Sequence, residues 1–365
     1  MLLGHFLRRL PIFLSLHFPL SPPSPCLPLL LPFPFAPSLP PPARMESSLP
    51  KHRHVIWETE ELVAYLHPRP WTPGTAVLEP KTLARHSAAP GALFRLEEDT
   101  YLGLLLGARA VGALLCERLG VKRCALVSRP HRDSHSPPQV RVLPLHGLDD
   151  DWRPHLAEEE HYTHHDPGFV TSKSGPRWTD TSLQEIQAEI RSQLPFPDAQ
   201  PNHTFLGDDP AHPGLFSRIV RGEEQHWRVW DDEGHVAFLT PFPNSPGLTV
   251  LVPRRPLTSN IFKLDEEDYK SLVLATRRVA QILEEGLGAW GVGLIFEGFE
   301  IDYAHAKLIP LLSPPSDQVD GGVAAYSSPS EAPINDIYPG FVTSEDGPEA
   351  SPGSLKELQA KIAGL

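Results

Sequence analysis

The chain of 365 residues has room for two domains of ordinary size, each large enough to bury its own core without metal or disulfide support. Its 32 Lys and Arg stand against 45 Asp and Glu, and the net charge of -13 excludes a general electrostatic hold on nucleic acid or an anionic membrane. Any phosphate bound here must be held locally, and three cysteines without C-x-x-C spacing (Cys26, Cys116 and Cys124) fit a reducing compartment such as the cytoplasm.

Residues 1–44 contain no acid, only Arg8, Arg9 and Arg44 as strong bases, and dense proline. Pro11, Pro19, Pro22 and Pro23 interrupt the apolar run well before the roughly 20 residues that a membrane-spanning helix needs. The segment reads as a leader outside the fold: a translated upstream stretch with Met45 as the true start, or a secretory peptide, or a transit segment directing the protein to the mitochondrion.

Beyond the leader, Val63-Ala-Tyr-Leu precedes a Pro-Gly turn at Pro73-Gly74, and Thr75 to Pro80 reads as an apolar strand. Leu93 to Tyr101 leads into a long helix with acids in its first turn and a stop at Leu119-Gly120. Cys116 falls in the apolar run of that helix and Cys124 in a strand-like run, and both read as core fillers. Pro137 to Leu143 is the last strand, followed by Asp166-Pro-Gly-Phe-Val-Thr-Ser172, then Gly-Pro, then the amphipathic stretch Ser182 to Ile190. After the polar, Pro-rich Pro195 to Pro213, the pattern starts again.

Val236-Ala-Phe-Leu-Thr-Pro-Phe-Pro-Asn-Ser-Pro-Gly247 matches Val63 to Gly74, and Leu248 to Pro253 matches Thr75 to Pro80. Ile261 to Tyr269 opens a second long helix that stops at Leu287-Gly288, Tyr303 to Ile309 is the last strand, and Tyr338-Pro-Gly-Phe-Val-Thr-Ser344 precedes the amphipathic Ser354 to Ile362. So ordered a match reads as a duplication. Each copy predicts an antiparallel α+β fold of strands joined by turns with one long helix.

The second copy resembles the histidine-triad-like (HIT-like) superfamily. Phe216-Ser-Arg-Ile-Val-Arg-Gly-Glu223, Ala237 to Gly247 and Val250-Leu-Val-Pro-Arg254 look like its opening strands, and Tyr303-Ala-His-Ala-Lys-Leu-Ile309 stands where the family carries His-φ-His-φ-His-φ-φ. The resemblance implies residues 45–194 and 214–365 as two HIT-like domains joined by a linker at 195–213, forming an internal pseudo-dimer in which each is the other's partner. It also implies that His305 is the nucleophile that takes up a nucleotidyl group. Strand alternation puts Tyr303, His305 and Lys307 on one face and Ala304, Ala306 and Leu308 on the other, so Tyr303 and Lys307 are the candidate phosphate contacts.

Phe238 and Thr240 are candidate nucleotide-pocket residues, with Thr240 where the family has a ribose-binding Asp and Leu248 in place of the usual His. In the first copy Gln139 takes the nucleophile position, which makes that half catalytically silent, and Arg141 aligns with Lys307. The implied function is a nucleotide hydrolase or nucleotidyltransferase acting on a phosphoanhydride or phosphoramidate; the alternative is a non-catalytic nucleotide-binding or scaffold protein. Neither needs a metal or another cofactor. The expected partner is a small-molecule nucleotide, not nucleic acid or membrane.

Other clusters read more plainly. His131 to His135 falls among prolines and predicts a loop, and His161 to His165 a solvated linker without a completed metal set. Gly291, Gly293 and Glu297-Gly298 match no phosphate-loop motif and read as turns, while Trp227 and Trp230 read as core.

Overall fold

Alternating apolar residues in short runs, closed by proline or glycine, form ten strands: β1 (Val55–Glu58), β2 (Leu62–Leu66), β3 (Ala76–Pro80), β4 (Arg123–Ser128), β5 (Val140–Leu145), β6 (Trp227–Asp231), β7 (His235–Leu239), β8 (Thr249–Pro253), β9 (Gly291–Phe296) and β10 (Ala306–Leu311). They make one antiparallel sheet in the order β1-β2-β3-β5-β4-β9-β10-β8-β7-β6, which reads alike from either edge. The helices are α1 (Glu98–Leu119), α2 (Asp180–Arg191), α3 (Leu215–Arg221), α4 (Glu266–Leu287) and α5 (Pro352–Ala363). The fold is thus α+β with a large antiparallel sheet. The computed structural model describes residues 53–82, 93–132, 136–314 and 333–364. By contact the chain divides into Met1–Leu49 and Pro50–Leu365, and every described residue lies in the second. The expectations for residues 1–44, including Cys26, fall outside the described residues.

Register ties the two sets of five strands together. One row of directly opposed residues crosses all ten strands: Val55, Tyr65, Val77, Arg141, Val127, Ile295, Lys307, Val250, Phe238 and Arg228. Its middle is the Val127–Ile295 pair, where β4 meets β9. Arg141 and Lys307, aligned by sequence, flank that middle symmetrically.

One face of the sheet packs on α1 and α4. Leu78, Leu104, Leu105, Leu126, Leu251, Leu272 and Leu308 are fully buried there, and each buried leucine stabilises the fold by about 1.5–3 kcal/mol relative to exposure. The helices also exchange polar contacts, since Tyr101 Oη donates to Val273 O at 2.9 Å and Tyr269 Oη to Leu105 O at 2.7 Å. Gly120 and Gly288 end them in the left-handed conformation (φ 72° and 60°), as expected of helix-stop glycines. Among the described residues no helix is long and apolar enough to cross a membrane.

The repeated Val-Thr-Ser segments pair with each other across this sheet. Thr171 and Thr343 form an antiparallel bridge, Ser172 N donates to Val342 O and Ser344 N to Val170 O, both at 2.9 Å. Each serine side chain adds the matching bond: Val342 N donates to Ser172 Oγ and Val170 N to Ser344 Oγ, again at 2.9 Å. Beyond this crossing, α2 packs on α4 and β6, and α5 on α1 and β1. The tail of each copy therefore lies on the other copy's sheet and long helix.

Four local readings are corrected. Leu215–Arg221 is helix rather than strand: Phe216, Ile219 and Val220 recur at helical spacing and are buried, and Gly222 (φ 76°) caps the end. The last strand begins at Ala306, because β9 ends at Phe296 and leaves Tyr303 to His305 without a strand partner on that side. The edge strands β1 and β6 precede the expected first strands. Gly291 and Gly293 lie within β9, not in turns; a Cβ on them would meet Pro130 Cγ at 2.7 Å and Val170 Cγ1 at 2.6 Å, so glycine there allows close approach of the crossing segments.

The crossing predicts matched mutational effects. Ser172→Ala and Ser344→Ala each leave a backbone N–H without its acceptor, costing about 1–3 kcal/mol. Urea unfolding of the two variants should show losses of similar size, and an effect on one side only is incompatible with a symmetric crossing.

Candidate functional site

His305 lies just ahead of β10, on the sheet face away from α1 and α4, since its neighbours Ala304 and Ala306 belong to the helix-side core. Alternation places Tyr303 and Lys307 on the same side, as expected, but that side is covered. Tyr303, His305 and Lys307 retain only 2%, 5% and 8% exposure. Over Tyr303 and His305 the cover is α3, whose Phe216 ring stands edge-on to His305 at 5.3 Å, to Tyr303 at 5.7 Å and to Phe238 at 5.7 Å.

Two fully buried arginines tie α3 and the segment before it to the sheet, Arg228 reaching both and Arg254 only the segment. Arg228 on β6 donates to Ile219 O and Val220 O at 3.3 Å, satisfying carbonyls at the end of the helix, and also to Asn202 O. Arg254 donates to Asn202 O at 2.8 Å and Thr204 O at 3.1 Å. The Pro-rich segment between Pro195 and Pro213 is thereby bonded to the sheet near its middle, with Asp231 balancing both guanidinium groups.

His305 Nδ1 lies 2.7 Å from Tyr303 O. A carbonyl only accepts, so Nδ1 carries the hydrogen and Nε2 keeps a free lone pair in the neutral ring. Burial lowers the His305 pKa below the ordinary histidine value and Lys307 lowers it further, against the opposing pull of the Tyr303 carbonyl and Glu300. Near neutral pH the imidazole is uncharged.

The other predicted residues have protein partners. Tyr303 Oη donates to Pro253 O at 2.9 Å. Lys307 Nζ donates to Ser172 O at 2.9 Å and pairs with Glu300 Oε2 at 2.9 Å. Burial works against the Lys307 charge, but Glu300 and Glu297 prevail and raise its pKa; Lys307 in turn lowers that of Glu300. Glu297 shifts upward through burial and accepts a hydrogen bond from Tyr338 Oη. These two glutamates, which sequence reasoning passed over as part of a turn, set two carboxyl groups against one ammonium beside His305. Their signal was acidic spacing just ahead of the His strand.

Phe238 joins the cluster through Phe216, whereas half-buried Thr240 lies at the far end of β7 and accepts from Phe242 N at 3.2 Å. Trp227 packs in the helix-side core. In the first copy Gln139 contacts His131, and Arg141 Nη1 donates to Ser344 O at 2.8 Å and to Asp346 Oδ1 at 2.9 Å. Lys307 and Arg141 thus reach matching serine carbonyls across the molecule, each with its own carboxylate. Cys116 and Cys124 lie half-buried and buried with their sulfurs 3.8 Å apart. Among the described residues no group of three or more His, Cys, Asp or Glu is placed to hold a metal ion.

No family model matches the chain. An uncharacterized HIT-like protein of Saccharolobus solfataricus is 28% identical over 108 residues, which cover 28% of this chain and 77% of that protein. An uncharacterized HIT-like protein of Mesomycoplasma hyorhinis is 28% identical over 101 residues, covering 26% of this chain and 90% of its own. Among solved structures, a uridylyltransferase aligns with 90% of this chain and 92% of its own at 12% identity and a TM-score of 0.44.

Neutral His305 has a testable signature. Its ring resonances should stay those of the Nδ1–H tautomer to lower pH than those of an exposed histidine. Histidine nitrogen NMR makes the measurement. Because the folded pKa lies below the unfolded one, this group's contribution to stability is full above about pH 6.5 and is lost as the pH falls toward the folded value; a His305 charging at or above about pH 6.5 is the contrary result.

Proposed function

From the premise that this chain is related to the HIT-like proteins, we propose that it is a nucleotide hydrolase or nucleotidyltransferase with His305 as nucleophile. The observation carrying this reading is the buried, neutral His305 ring whose Nδ1–H is fixed by the Tyr303 carbonyl. Nucleophilic catalysis needs such an unprotonated nitrogen, oriented before substrate arrives.

In this reading Nε2 attacks the phosphorus of a phosphoanhydride or phosphoramidate, the bond to the leaving group breaks, and a nucleotidyl-histidine forms. Water or another acceptor then takes the nucleotidyl group. Lys307 becomes a phosphate clamp once substrate displaces Glu300 from it, and Tyr303 holds the register of the strand entry. Phe238 and Thr240 belong to the nucleotide pocket. Residues 45–194 and 214–365 act as two HIT-like domains in an internal pseudo-dimer, the first silent because Gln139 replaces the nucleophile. The same reading puts the protein in the cytoplasm.

One observation favours the second reading, a non-catalytic nucleotide-binding or scaffold protein: Lys307 is already satisfied by Glu300 and Ser172 O, and Tyr303 by Pro253 O. Two variants separate the readings. Purified protein is assayed with adenosine phosphoramidate, dinucleoside polyphosphates and nucleotide sugars. His305→Ala should lower turnover by about a thousandfold or more, and Glu300→Gln should lower KM by freeing Lys307. Absent turnover, or turnover indifferent to His305→Ala, sinks the catalytic reading; nucleotide binding retained by both forms then supports the second.

A further inference from the structure

The two tail helices enter their docking sites along the same backbone path. Ala350 N donates to Pro68 O and Trp178 N to Pro241 O, both at 2.9 Å; Gly347 N reaches Arg69 O at 3.1 Å and Gly175 N reaches Phe242 O at 3.0 Å. The N-caps that follow, Thr179 and Ser351, are also equivalent. Ala350 and Trp178 thus stand at matching positions against matching strands, and so do Ile334 and Tyr162, which precede Asn335 N–Trp71 O and Thr163 N–Asn244 O (each 2.9 Å).

What differs is the filling. On the β7 side the Trp178 indole packs on the core that includes Leu183 and Leu239, with the Tyr162 ring 6.0 Å away. On the β2 side the corresponding residue is an alanine, and a cavity of about 210 Å³ opens there, walled by Leu66, Leu355 and Leu358 with Ala350 and Ile334 at the tail. Its lining is mostly apolar, with Ser354, buried Thr75 and His67 as the polar members; Thr75 Oγ1 donates to Thr72 O at 2.7 Å, His67 Nδ1 accepts from Arg69 N at 3.0 Å and its Nε2 faces Asp346 at 3.5 Å. With Nδ1 accepting, Nε2 bears the hydrogen and is a donor.

We propose that this cavity is a binding site for a free planar aromatic or heteroaromatic group of indole or purine size, which takes the place that Trp178 fills on the other side. The volume agrees, since an apolar cavity of roughly 150 Å³ accepts benzene and a fused bicycle needs somewhat more. So does the chemistry: a mostly apolar lining with a few polar side chains matches the common pattern of small-molecule sites. The site stands apart from His305 and does not depend on its role.

Indole and adenine are the probes, titrated into the full chain by calorimetry and saturation-transfer NMR. The wild type should bind at least one of them saturably with one site per chain. Ala350→Trp, which copies the filled side and keeps the backbone path, should weaken that binding at least about tenfold without lowering the melting temperature. Trp178→Ala should create a second site and raise the stoichiometry to two. His305→Ala should leave binding unchanged. Absence of saturable binding of either probe by the wild type overturns the proposal, as does undiminished binding to Ala350→Trp. Should Trp178→Ala fail to fold, the Ala350→Trp comparison decides alone.

Discussion

Where Thr171 meets Thr343, two copies of one short sequence are hydrogen-bonded to each other, and most of the molecule's arrangement follows from that meeting. A segment that pairs with its own repeat in antiparallel sense generates two-fold relations among whatever is attached to it. The sheet obeys the same relation at Val127–Ile295, and the glycines of β9 let Val170 and Pro130 come close enough for the crossing to form. Because the chain crosses there, each tail helix covers the long helix of the other copy. Neither set of five strands then has its helix layer complete without the other.

The crossing also decides how the buried charges are handled. Lys307 and Arg141 occupy equivalent places in the row across the sheet, and each donates to the carbonyl of the opposite copy's serine, Ser172 or Ser344. A cation in that position, taken out of water, requires a carboxylate as well. The two copies found different ones: Asp346 on the tail for Arg141, Glu300 on the strand approach for Lys307. The electrostatic requirement is shared, while the local solution is free to diverge.

Much of this was legible in the sequence. The repeated Pro-Gly-Phe-Val-Thr-Ser motif marked the two segments that pair, Gly120 and Gly288 marked the helix stops, and alternation at 303–308 separated the faces correctly. Periodicity tells which side a residue faces but not what lies over it. Hence Tyr303, His305 and Lys307 read as one face of candidate phosphate contacts, whereas Phe216 packs on Tyr303 and His305 and the Ser172 carbonyl takes Lys307. That cover was missed because Leu215–Arg221 is a two-turn helix, short enough for its apolar spacing to pass as a strand. Glu297 and Glu300 were missed because they bear on the site only through the fold, by way of a turn that returns their carboxyl groups to Lys307.

The consequences for His305 turn on the difference between a charged and a neutral buried group. A buried imidazole with one nitrogen bonded to a carbonyl loses little by remaining uncharged, and its second nitrogen remains a good nucleophile. A buried lysine would lose its proton by the same burial, and Lys307 keeps its charge because Glu300 and Glu297 stand beside it. In the proposed reaction an arriving phosphate must therefore compete with Glu300 for Lys307 and pass the Phe216 ring that covers His305. Recognition of an anion in that reaction rests on the Lys307–Glu300 pair and reactivity on the carbonyl-fixed imidazole. A change at Glu300 reaches both, since that carboxylate pairs with Lys307 and also opposes the downward shift of the His305 pKa.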